Sequence, residues 1–194
     1  ISTDTDADDE EGVAITNSIA TVLGGSTQSG ALSVTSANGN ITQTGSLDVD
    51  GITTISAATN SITLDNTAND FTGVVNVTGM ATTIKDANDI DLGEVSISTL
   101  DLVAGGSVTD AVTVSGVKVT GITKVSAGTN IILNSPSNVF GDSTELNYSA
   151  FTAGNKVIIV EDDKVRANVV AKSLQVKGTT GIQLDDGSAI TSLA

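Results

Sequence analysis

Apolar residues along this chain come in short pairs spaced by two. Leu32 and Val34, Leu47 and Val49, Ile62 and Leu64, and Val75 and Val77 set the pattern. Ile90 and Leu92, Leu100 and Leu102, and Val117 and Val119 continue it, and Ile158 and Val160, Leu174 and Val176, and Ile182 and Leu184 close it. A period of two puts both members of a pair on one face of a strand. Between the pairs stand Gly, Asn, Asp, Ser and Thr, the residues of turns. The nearest approach to a helical stripe, residues 165–172, is weakened by the β-branched Val169 and Val170. The chain therefore reads as all-β, built from many short strands.

Short strands make either a sandwich or a solenoid, and internal repetition separates the two. Gly51-Ile-Thr-Thr-Ile-Ser-Ala-Ala-Thr-Asn60 returns as Gly121-Ile-Thr-Lys-Val-Ser-Ala-Gly-Thr-Asn130, 70 residues later (121 − 51). Leu47-Asp-Val49 answers to Val117-Lys-Val119, and Asn69-Asp-Phe71 to Asn138-Val-Phe140 with a slip of one residue. A block this long, holding several strands, reads as whole coils recurring along an axis. The expected fold is a parallel β-helix (β-solenoid) of about eight or nine coils, with roughly 20 to 23 residues in each. At ~4.8 Å per coil its length is about 40 Å. Asn60 and Asn130 occupy matching places, where they either stack as an amide ladder or cap a turn.

Composition narrows the interior. Aromatics are 2% of the 194 residues, with no Trp, so the core must be thin and filled by Val, Ile and Leu. Their recurrence throughout, with one Pro (Pro136), argues against disorder. The formal charge of −15, with only eight Lys plus Arg, speaks against nucleic acid and anionic membranes as partners. No apolar run approaches the ~20 residues of a membrane helix. The start at Ile1 rather than Met suits a processed product or an excised fragment.

The run Ala57-Ala-Thr-Asn60-Ser-Ile-Thr-Leu64-Asp-Asn-Thr-Ala-Asn69-Asp-Phe71-Thr-Gly-Val-Val-Asn-Val-Thr-Gly79 resembles the repeats of filamentous-haemagglutinin-type exoproteins. So do Ile84-Lys-Asp-Ala-Asn-Asp-Ile90-Asp-Leu92 and Ala104-Gly-Gly106-Ser-Val-Thr-Asp110. The likeness is strongest from about Gly30 to Gly141. It implies a right-handed parallel β-helix secreted by a Gram-negative-type cell, often through a dedicated partner pore, with roles in adhesion, biofilm or filament formation. The repeats form the shaft of such proteins, which are commonly far longer than this chain.

Chemistry has little to work with. No His and no Cys are present, which removes Ser-His-Asp, Cys-His and His-rich zinc arrangements. Carboxylates such as Asp65 and Asp70 fall in turn-like sequence, and Phe71, Phe140, Tyr148 and Phe151 are too scattered for a sugar platform. The expectation is that the chain is not an enzyme. Thr42-Gln-Thr44 and Thr53-Thr54 raise an ice-binding face, but the pattern does not recur at each coil. Asn40, Asn76 and Asn147 fit the glycosylation acceptor pattern, a chance match in a bacterial protein.

Residues 1–12 form an acidic N-terminal arm in which Asp4, Asp6, Asp8 and Asp9 alternate as calcium loops begin. The EF-hand pattern fails there, with Asp9 where Gly is needed and Ile15 where Glu is needed. No cofactor is expected unless those four aspartates hold a weak calcium ion, the alternative being a solvated acidic lead. Residues 13–194 form the solenoid, with atypical terminal coils from about 142. There Asn155-Lys-Val-Ile-Ile-Val160-Glu-Asp-Asp-Lys164-Val-Arg166 reads as further coils with an unusual turn, or as a cap or assembly surface. Lys156, Lys164 and Arg166 would meet the acidic arm of a neighbouring copy. Partners are then copies of the chain end to end, or flanking repeats of a longer parent. The chain is read as a secreted or cell-surface structural solenoid, the alternative being an adhesin module that binds cell-surface glycans directly.

Overall fold

A computed structural model describes residues 12–111, 115–141, 149–162, 164–178, 181–184 and 188–193. All regular structure in it is β, and the strands follow one another three to a turn. The first turn holds β1 (Val13–Asn17), β2 (Thr21–Leu23) and β3 (Ser26–Gln28). The second holds β4 (Leu32–Ser36), β5 (Ile41–Gln43) and β6 (Leu47–Val49); the third holds β7 (Thr53–Ser56), β8 (Ile62–Leu64) and β9 (Asp70–Phe71). Then come β10 (Val75–Thr78), β11 (Ala81–Asp86), β12 (Ile90–Ile97), β13 (Thr99–Ala104) and β14 (Val108–Asp110), with β12 bending from one turn into the next. The later turns carry β15 (Val117–Val119), β16 (Thr123–Ala127), β17 (Asn130–Leu133), β18 (Val139–Phe140), β19 (Ser149–Ala153) and β20 (Lys156–Glu161). The long β21 (Lys164–Gly178), β22 (Gly181–Leu184) and β23 (Ala189–Leu193) complete the stack of about eight turns. Residues 165–172 lie within β21, so the β-branched valines prevail there.

Each strand pairs in parallel with its counterpart one turn along. One ladder runs β1–β4–β7–β10–β12–β15–β18. A second runs β2–β5–β8–β11–β13–β16–β19–β21. A third begins β3–β6–β9 and is taken up by the first half of β12, then β14, β17, β20 and the later part of β21. The advance per turn varies more than the sequence suggests. It is 17 residues from Val157 to Leu174 and 26 from Ile131 to Val157, because turns absorb the difference while strands keep register.

The core is one narrow column of Val, Ile and Leu, as the composition demands, with Phe71, Phe140 and Phe151 its largest members. Phe140 and Phe151 meet edge to face, centroids 5.5 Å apart. One of the apolar pairs needs correction. In β20 the buried side chains are Val157 and Ile159, not Ile158 and Val160. Every position from Val157 to Val160 is apolar, so period two leaves the phase open. Glu161 settles it, since its carboxylate must turn inward to reach the turn above. Ile182 and Leu184 are 51% and 37% exposed. They stand in register with Val165 and the buried Ala167, but among the described residues no turn beyond β22 covers them.

The 70-residue repetition has a geometric consequence. β6 and β15 carry matching sequence, yet β6 lies in the third ladder and β15 in the first. β7 and β16 are displaced from the first ladder to the second, and β8 and β17 from the second to the third. The second copy is thus turned by one face relative to the first.

Candidate functional site

Buried asparagine and carboxylate side chains along the thin apolar column find their partners between turns, whereas the inward hydroxyls of Thr21, Thr53, Thr82 and Thr123 make no hydrogen bond. Asn69 closes the turn ahead of β9 and is fully buried. Its Oδ1 accepts the Leu47 N–H at 2.9 Å, and its Nδ2 donates to Leu64 O and Lys85 O at 3.2 and 3.1 Å. Gln43 adds two further bonds to the same amide. Asn138, also fully buried, repeats the arrangement ahead of β18: its Oδ1 accepts the Val117 N–H at 2.8 Å, and its Nδ2 donates to Asp110 Oδ2 at 2.6 Å. Asp110 in turn accepts the N–H groups of Asn134 and Ser135.

The carboxylates one turn along are matched in the same way. Asp86 Oδ2 accepts the Phe71 N–H at 2.8 Å, while its Oδ1 accepts the Asn88 N–H at 2.7 Å. Glu161 Oε1 accepts the Phe140 N–H at 2.7 Å. Beside each clamp lies an equivalent main-chain bond, Ala87 N–H to Asn69 O at 2.7 Å and Asp162 N–H to Asn138 O at 2.9 Å. Burial pushes the Asp86 carboxyl above the ordinary aspartate value of 3.8, against the lowering pull of the Asn88 and Phe71 N–H groups; the nearby Asp70 and Asp89 raise it further. The recurrence of Asn-x-Phe in the sequence marks half of this constellation. The acids escape such a search because they stand 15 residues after Phe71 but 21 after Phe140.

Asn60 and Asn130 divide the two roles open to them. Asn60 Nδ2 donates to Ala57 O at 3.2 Å within its own turn, whereas Asn130 Oδ1 accepts from Asn155 Nδ2 at 3.0 Å across turns. Thr53 points inward and is fully buried, so Thr53-Thr54 is not an outward pair. Asn40 and Asn76 use Oδ1 to hold the Ser61 and Glu94 N–H groups of the next turn.

Asp4, Asp6, Asp8 and Asp9, the candidate calcium ligands, lie outside the described residues, as does Asn147. Among the described residues no three acids gather as a metal site would require. Lys156 is half-buried at the start of β20, in register with Asn130 and Ser173. Lys164 and Arg166 sit in β21, in register with Gly181 and Gln183. The three basic residues therefore belong to two different ladders. Asp65 is exposed, and Asp70 accepts from Asn88 Nδ2 at 2.9 Å. Two shallow surface depressions lie among the described residues. One of about 400 Å³ is lined by Thr54, Asn76, Thr78 and Glu94, and one of about 240 Å³ by Thr83, Asp101, Ile122 and Lys124.

No curated protein matches the chain, and no solved structure matches it. A family described as "Repeats of unknown function (DUF5649)" matches residues 10–78 and again residues 79–147. The boundary falls between β10 and β11, so the first copy holds ten strands where a turn uses three. Ten strands make three turns and one strand more, which is why the second copy enters one face round. The chain belongs to the DUF5649 repeat family and carries two of its repeats stacked in tandem along one β-solenoid.

Proposed function

We propose that this chain is structural, non-catalytic shaft material of a bacterial surface adhesin or biofilm protein, acting outside the cell as a spacer or filament segment. The observation that carries this reading is the uninterrupted stacking of two repeats, with one apolar column and side-chain clamps spent on joining turns. Inward apolar residues also remain open at both ends of the described stack, with Val13 and Ile15 half-buried at one and Ile182 and Leu184 exposed at the other. Such ends favour continuation of the stack, by flanking repeats or by copies of the chain. The likeness to filamentous-haemagglutinin-type repeats supports export and an adhesive parent. The absence of His and Cys from the sequence, and the shallow depressions, favour a scaffold over catalysis.

Negative-stain electron microscopy of the purified chain, with and without millimolar calcium, tests the proposal. Slender rods are expected. Fibres of one-turn diameter make the chain a filament subunit, and discrete short rods make it a shaft segment. Fibres that form only with calcium would revive the acidic arm at Asp4, Asp6, Asp8 and Asp9 as a metal site. Compact particles, or saturable binding to a glycan array at low micromolar concentration, would overturn the spacer reading in favour of a binding module.

A further inference from the structure

The junction between the repeats recurs at a place the family match does not reach. β11 opens the second repeat, and its inward residues Thr82, Ile84 and Asp86 stand 69 positions after Val13, Ile15 and Asn17 of β1. β20 offers the same three inward places in Val157, Ile159 and Glu161. The clamp chemistry agrees: Asp86 takes the Phe71 N–H and Glu161 takes the Phe140 N–H, each beside its equivalent main-chain bond. Faces agree as well, since β1, β11 and β20 lie in the first, second and third ladders in turn. β20 thus stands in the place of an opening strand, with the same clamp and one face further round.

The same equivalence makes β1 the receiving side of a junction. Val13 and Ile15 are only half-buried, whereas their counterparts in β11 and β20 are buried. Asn17 already makes the local half of the clamp, its Oδ1 accepting the Ile19 N–H as Asp86 Oδ1 accepts that of Asn88. Among the described residues no strand pairs with the outer edge of β1, and Ser18 stands where Ala87 and Asp162 donate.

We propose that the outer edge of β1–β3 docks the closing strands of another repeat of this family, joined in series ahead of Gly12 and turned by one face. Asn17 receives the N–H of that repeat's Asn-x-Phe phenylalanine, and Ser18 N–H binds its asparagine carbonyl. The occupant must be joined in series. In a second copy of this chain the Phe71 and Phe140 N–H groups are already engaged by that copy's own Asp86 and Glu161. This rests on the shaft reading and names its partner.

The test inserts a second copy of residues 10–78 between residues 9 and 10 of the full chain and follows amide exchange by mass spectrometry. Peptides that run from the inserted Val77–Thr78 across the junction into the original Val13–Ser18, and so are distinct from those of the inserted copy, should exchange at least about tenfold more slowly over β1 than β1 does in the unmodified chain. Asn17→Ala in the lengthened chain should remove most of that protection, and Asn17→Asp, which installs the carboxylate of the internal junctions, should keep or increase it. Unchanged exchange of β1, with the inserted strands protected or unfolded, overturns the proposal. It is overturned equally if β1 is already protected in the unmodified chain and loses protection when residues 1–11 are deleted, for then the acidic arm is the occupant. The rod shape of the unmodified chain is read separately, so the shaft reading can fail or stand independently of this result.

Discussion

Buried asparagine and carboxylate side chains in this protein join turns, and Asp86 shows what that costs. Its carboxylate is desolvated inside the stack yet bonded to two N–H groups, and desolvation is the larger effect. The folded chain therefore holds this proton to a higher pH than the unfolded chain does. Its contribution is full below 3.8, the unfolded value, and is lost as pH rises through the raised folded value. Urea midpoints of the natural chain and Asp86→Asn, compared from about pH 3 to pH 7, should show the natural chain losing ground to the variant as pH rises. Parallel curves would mean that burial does not perturb this acid.

At the scale of the element, turns are where the fold is least forgiving. The buried Ala104, Ala127 and Ala153 stand in register on the second ladder, and each is followed by a glycine. A Cβ on Gly128 would overlap the carbonyl oxygen of Gly105, and one on Gly154 would overlap that of Gly128. Successive turns pack here backbone on backbone. Gly128→Val should cost about 1–3 kcal/mol in urea unfolding, since the ladder on either side prevents relaxation. Gly24 is the control: a Cβ there meets nothing within 4 Å, and Gly24→Val should be within about 0.5 kcal/mol of the natural chain. Equal losses at both positions would refute the close-packing account.

For the molecule as a whole, each turn touches only its neighbours, so stability is a sum of local and nearest-neighbour contributions. Leu102 sits in β13 between Ile84 and Val125 of the adjoining turns and is fully buried. Leu102→Ala should cost about 2–5 kcal/mol locally. Amide exchange should then quicken in β11, β13 and β16 while β4 and β5 keep their protection. A uniform rise across all strands would show that the stack unfolds as one cooperative unit instead.

Much of this architecture was legible before any coordinates. Alternation at Leu32/Val34 or Ile62/Leu64, where polar residues flank the apolar ones, fixed both strand and facing, because period two then has one phase. The copying of Gly51–Asn60 at Gly121–Asn130 announced a stack, and scarcity of aromatics announced a thin interior. Where every residue is apolar, as from Val157 to Val160, the sequence left two phases equal and the clamp by Glu161 chose between them. Nor did it contain the pairing of Phe71 with Asp86 or of Phe140 with Glu161. Those partners are separated by whole turns of unequal length, and only the ladder register brings them together. The rotation of one repeat against the next has the same origin. Sequence counts residues, while the face a strand occupies depends on how many strands precede it in the closed turn, a quantity that exists only once the chain is wound.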